Sequence, residues 1–61
     1  MPIVTIQLFK GRSVESKRLL AAKVTEAVAE TIDLAPETVT VLFEEYERED
    51  WATGGKLFSD R

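Results

Sequence analysis

The sequence predicts an α/β fold: a single βαβ unit with parallel strands and a C-terminal hairpin, forming one domain over residues 1–61. Three observations predict it. Apolar residues alternate along residues 3–9, recur at helical spacing over residues 14–32, and fill nearly both faces at the centre, residues 39–43, of a second run over residues 38–46. A strand, a long helix and a second strand in that order pair in parallel through a right-handed crossover.

In the first strand (IVTIQLF), Val4, Ile6 and Leu8 fall on one face, and Ile3, Thr5, Gln7 and Phe9 on the other. Lys10-Gly11-Arg12 breaks the alternation. Ser13 is the expected helix N-cap, with Glu15 in the first turn where the helix dipole favours an anion. Along the helix, Leu20, Val24, Ala27, Val28 and Thr31 form the apolar stripe, while Lys17, Lys23, Glu26 and Glu30 lie largely off it. The Lys17-Arg18 pair reads as a solvated face. At 1.5 Å per residue the helix would run about 28 Å, enough to cross back over a sheet. Residues 33–37 (DLAPE) end it, because Pro36 disfavours helical geometry at Ala35. In the second strand, residues 39–43 are apolar on nearly both faces, as in a strand covered on both sides. Gly54-Gly55, after the charged residues 47–50 and Trp51, predicts a tight turn or short hairpin.

Composition limits how such a unit can be stabilised. A domain of this length buries only about 60% of its unfolded surface and often needs disulfides, metals or partners. The chain has no cysteine and no histidine, so no disulfide forms, and no metal site or cofactor is expected. Yet 44% of its residues are hydrophobic, too many for a disordered chain. A lone βαβ unit also leaves one sheet face and both sheet edges uncovered. Oligomerisation is the remaining route to stability. A net charge of −3, from 8 basic and 11 acidic residues, argues against nucleic acid as a partner. No apolar run approaches the ~20 residues that span a bilayer, so no membrane partner is expected. The absence of a signal-peptide pattern and of cysteine points to the cytoplasm.

The missing residue types also narrow the chemistry. Without histidine or cysteine there is no Ser-His-Asp triad, thiolate nucleophile or imidazole base. The sequence contains no P-loop and no GxGxxG fingerprint. An enzyme built on this chain must work with a carboxylate, a lysine, a tyrosine or the N-terminal amine.

Met1-Pro2-Ile3 at the start, a strand running into Gly11-Arg12-Ser13, an amphipathic helix, a Val-rich second strand and Trp51 before Gly54-Gly55 together resemble the 4-oxalocrotonate tautomerase family. The resemblance covers essentially the whole chain. It implies a tautomerase-like βαβ subunit, dimers with a four-stranded sheet and commonly a homo-hexamer built as a trimer of dimers. It implies an isomerase that moves a proton between oxygen and carbon on a small unsaturated 2-oxo or 2-hydroxy acid, as in aromatic compound catabolism. The implied catalyst is the amine of Pro2, exposed once Met1 is removed. Arg12 matches the family's loop arginine and would clamp a carboxylate; Trp51 stands where phenylalanine is more usual and would line the site, with Phe9 as a further substrate-binding candidate. One feature departs from the pattern. Thr40 occupies the second-strand position that is arginine in the best-known members, so the second carboxylate grip is missing there. Arg48 and Arg61 are the basic residues that could replace it.

Each of these residues has a plainer reading. A second-position proline can serve only to permit methionine removal. Arg12 can be a loop arginine in a surface ion pair, and Trp51 an interface anchor. Glu44 and Glu45 occupy adjacent strand positions facing opposite ways, which disfavours a carboxylate dyad. Two other functions stay open on the resemblance: hydration or dehalogenation of a small unsaturated acid, with protonated proline as acid, and a non-catalytic subunit of a hetero-oligomer.

Overall fold

The computed structural model describes residues 1–61 and contains β1 (Ile3–Phe9), α1 (Val14–Thr31), β2 (Thr40–Tyr46), β3 (Ala52–Thr53) and β4 (Lys56–Leu57). β1 and β2 pair in parallel, from Ile3 opposite Thr40 to Phe9 opposite Tyr46. β3 and β4 form an antiparallel hairpin. Its two-residue loop, Gly54-Gly55, has φ of 62° and 80°, the all-positive geometry of a type I′ turn that glycine adopts without strain. The helix is too short in apolar residues to cross a membrane.

Local chemistry sets the ends of α1. The Ser13 hydroxyl accepts the Ser16 N–H at 3.1 Å, capping the first turn as expected. At the other end Asp33 adopts φ 55°, and the Leu34 N–H reaches back to the Ala29 carbonyl at 2.9 Å. This left-handed turn closes the helix before Pro36 is reached. β2 begins at Thr40, two residues later than the apolar run suggests. Pro36–Thr38 instead forms a 3₁₀ turn, with proline at its favoured first position and the Thr38 hydroxyl donating to the Ala35 carbonyl at 2.7 Å.

The inward face of α1 is rotated from the expected stripe. Ala21, Val24, Thr25, Val28 and Ala29 turn towards the sheet, while Leu20 is 38% exposed and Ala27 and Thr31 are exposed. Small residues let the helix approach the narrow two-stranded sheet, while Leu20 borders a cleft with Leu8 at the margin of this contact and Leu19 is 61% exposed. Lys17 is likewise not on a solvated face: its ammonium pairs with Glu45 at 2.8 Å, between the helix and β2.

Val4, Ile6, Leu8, Val41 and Phe43 face the helix. The chain covers only this face of the sheet. On the other, Ile3 is 64% and Leu42 47% exposed, so β2 is not covered on both sides by its own chain. Ala29 is the one buried residue. One helix layer on one sheet layer gives a slab of 43 × 24 × 14 Å with no closed core of its own.

Candidate active site

The parallel register sorts the candidate residues into two groups. Pro2 precedes β1, and its carbonyl accepts the N–H of Thr40 at 3.0 Å. Pro2 and Thr40 therefore sit side by side at one end of the sheet. Phe9, Arg12 and Trp51 lie at the other. Seven strand residues at about 3.3 Å each put these ends roughly 20 Å apart. The structure thus brings Phe9, Arg12 and Trp51 together and holds Pro2 away from them within one chain.

At the far end the hairpin and two 3₁₀ turns, Arg48–Asp50 and Phe58–Asp60, fold back over the end of β1. The Phe58 N–H donates to the Trp51 carbonyl at 2.9 Å. Phe9 lies 4.7 Å from Trp51 and 5.0 Å from Phe58, ring centre to ring centre, and Tyr46 meets Trp51 edge-on at 5.8 Å. These tilted and edge-on contacts hold the rings at the separations aromatic pairs prefer. Trp51 is half-buried in this cluster.

Beside the cluster lies a groove of about 510 Å³, bordered by Gln7, Phe9, Lys10, Arg12, Arg48 and Trp51. Gly11, at φ 117°, turns the chain from β1 to Arg12 in a conformation that side chains disfavour. Lys10 pairs with Glu47 at 3.1 Å, whereas Arg12 and Arg48 make no ion pair. The Arg48 guanidinium stacks 4.5 Å above the centre of the Phe9 ring. Arg61 is engaged elsewhere, over Phe58 at 4.5 Å and donating to the Thr53 carbonyl at 3.2 Å. A larger groove of about 650 Å³ runs along the helix past Ala21, Ala29 and Leu34. Its charged residues are Glu26 and Glu30, with no cation to hold an acid.

Glu44 and Glu45 separate as expected. Glu45 turns to Lys17, while Glu44 on the open face accepts from Gln7 Nε2 at 3.0 Å and the Tyr46 hydroxyl at 3.2 Å. The Glu44 charge and the hydrogen bond to it raise the Tyr46 pKa above 10.0, because both disfavour the phenolate. Tyr46 is the only tyrosine, so its ionisation reads out cleanly in the ultraviolet. In Glu44→Gln the phenolate should appear at lower pH than in the parent; an unchanged titration would show that Glu44 does not set it.

By sequence alone Arg48 is one spare cation beside Arg61. It lies in a charged run, Glu47-Arg48-Glu49-Asp50, without periodicity to place it. Only the 3₁₀ turn after β2 shows that it faces Phe9.

The pattern of a family described as tautomerase enzyme matches residues 2–61 of the chain. A probable tautomerase from Halalkalibacterium halodurans is 49% identical over 61 residues, covering 100% of both chains. The 2-hydroxymuconate tautomerase of Bacillus subtilis is 45% identical over 60 residues, 98% of this chain and 97% of that one. Among solved structures, a heterohexamer 4-oxalocrotonate tautomerase from Chloroflexus aurantiacus superposes with a TM-score of 0.91 at 28% identity, covering 98% of this chain and 97% of that chain. The shared β-helix-β arrangement with its C-terminal hairpin runs the length of the match. The chain belongs to the tautomerase family of isomerases.

Proposed function

We propose that the protein is a keto–enol tautomerase of small unsaturated 2-oxo and 2-hydroxy acids, with the amine of Pro2 as the proton carrier after Met1 is removed. The observation that carries this reading is the groove beside Phe9 and Trp51, which holds two unpaired guanidiniums. Arg12 grips the substrate carboxylate in a bidentate fork that a lysine could not form. Trp51 and Phe9 supply an apolar wall for the conjugated chain. The base comes from a second copy, because Pro2 of the same chain lies at the opposite end of β1. The exposed Ile3 and Leu42 on the open sheet face favour such an assembly, with a homo-hexamer as the proposed form.

Within that site the amine of Pro2 removes the hydroxyl proton of the enol, leaving a delocalised enolate. The same proton then returns from the ammonium to carbon, giving the ketone, and the amine is regenerated. A proton carrier of this kind works best with a pKa near the working pH. An α-amine ordinarily titrates near about 7.7–8.0, and a nearby guanidinium and loss of water both lower it. The pyrrolidine ring holds the nitrogen on a fixed φ, so it does not swing away.

The test pairs the intact mass of the protein with ketonisation of 2-hydroxymuconate and of phenylenolpyruvate, followed by absorbance. Protein lacking Met1 should turn over at least one of them. If that protein is inert towards both, the tautomerase reading fails. Activity only after mixing with a second chain type would assign this one to a hetero-oligomer.

A further inference from the structure

We infer that Arg48 is a specificity-determining residue which, with Arg12 of the same chain, makes the groove a receptor for a dicarboxylate. The turnover part of this inference rests on the tautomerase reading; the binding part does not.

Three of the cations are already committed. Lys10 is paired with Glu47, Lys17 with Glu45, and Arg61 is held over Phe58 and against the Thr53 carbonyl. Arg12 and Arg48 have no acidic partner, and both border one groove. Two uncompensated guanidiniums facing one space repel each other, and a dianion relieves that repulsion twice over while a monoanion relieves it once. Arg48 is also preset for binding. Stacking 4.5 Å above Phe9 orients its planar fork and removes side-chain freedom before any ligand arrives. The groove volume of about 510 Å³ lies within the usual range for small-molecule sites, and its aromatic wall suits a conjugated carbon chain.

Thr40 cannot do this task from any copy. It sits beside Pro2 and travels with it to whichever site Pro2 serves, but its hydroxyl carries no charge to hold a carboxylate. Arg48, on the turn after β2 and bordering the same groove as Arg12, is the cation available for the second carboxylate. A six-carbon unsaturated dicarboxylate would lie along Phe9 and Trp51 with one carboxylate on each arginine.

Binding and turnover test this separately. Calorimetry at fixed ionic strength would compare cis,cis-muconate, a dicarboxylate, with sorbate, a monocarboxylate of the same carbon count. The parent protein should prefer muconate by about tenfold, the scale of one added charge-assisted ion pair. Arg48→Ala should abolish that preference while changing sorbate affinity less than about twofold; Arg48→Lys should keep part of it, because charge survives without the fork. Lys23→Ala, on the helix, should behave as the parent does. In the ketonisation assay Arg48→Ala should raise KM for 2-hydroxymuconate about tenfold with kcat nearly unchanged, and leave phenylenolpyruvate unaffected. A merely structural role would weaken both ligands equally. A muconate preference that survives Arg48→Ala, or is absent from the parent, overturns the inference even if the enzyme is active. An Arg48-dependent preference in a protein that turns over neither enol would instead sink the tautomerase reading and leave this one standing.

Discussion

Replacing Pro2 by alanine in protein free of Met1 is expected to lower kcat by about 10²-fold, the lower end of what a positioned general acid–base contributes. The loss stays at that end because alanine still presents an α-amine, although one no longer held by a ring. The change should leave the fold alone. The backbone contact that Pro2 makes, its carbonyl accepting the Thr40 N–H, is equally available to alanine. A chain that keeps Met1 is the harsher case. Its Pro2 nitrogen is an amide without a basic lone pair, so the full contribution of up to about 10⁴-fold should disappear. The pH dependence follows in sign from the same assignment. The free amine is the base, so kcat/KM should rise as pH climbs through the amine pKa and fall below it. That rising limb should be present in the processed protein and missing from the Met1-bearing one. Pro2→Ala protein that retained the parent kcat would remove Pro2 from the mechanism.

The parts of the fold that were legible in the sequence are those set by local rules. The alternation of β1, the Ser13 cap and the Gly54-Gly55 hairpin depend on neighbours a few residues away, and all three form as expected. The errors arise where a local signal competes with packing. The start of β2 moves to Thr40 because Pro36 and the Thr38 hydroxyl make a better turn than strand end. The helix stripe holds at Val24 and Val28 and fails at Ala27 and Thr31, because α1 carries apolar residues on more than one side. Leu20 borders a cleft with Leu8 on the sheet side, and the small residues Ala21, Thr25 and Ala29 take the inward face beside the valines. Lys17 reads as solvated from the sequence, but the carboxylate of Glu45 on β2 claims it.

The candidate site was legible as a residue set and not as an arrangement. Phe9, Arg12 and Trp51 converge because the chain turns back over the end of β1, a consequence of the hairpin that sequence spacing already hinted at. Arg48 became visible only through its stacking on Phe9. The separation of Pro2 from Arg12 follows from strand length alone, yet its meaning depends on contacts between copies, which no local pattern encodes.

That separation leads to the second large effect, a rescue by mixing. Pro2→Ala and Arg12→Ala homo-oligomers should each be severely impaired, the first in kcat and the second mainly in KM. If every site takes Pro2 from one copy and Arg12 from another, a mixed oligomer contains sites in which both residues are native. These form where the base comes from an Arg12→Ala chain and the clamp from a Pro2→Ala chain. With equal amounts and random assembly, roughly a quarter of the sites would be restored, since each of two independent positions is native half the time. Dissociating the two variants together and reassembling them should therefore recover about that share of parental activity, while simply adding the assembled variants should recover none. The same arithmetic separates the alternatives. Were Pro2 and Arg12 to act within one chain, no combination of these variants could rebuild a native pair, and reassembly would yield no rescue. The roughly 20 Å of strand between them makes that outcome incompatible with a substrate of a few carbon atoms. A mixture that stays inactive after confirmed subunit exchange would refute the shared site, and with it the reason proposed here for why so short a chain leaves Ile3 and Leu42 exposed.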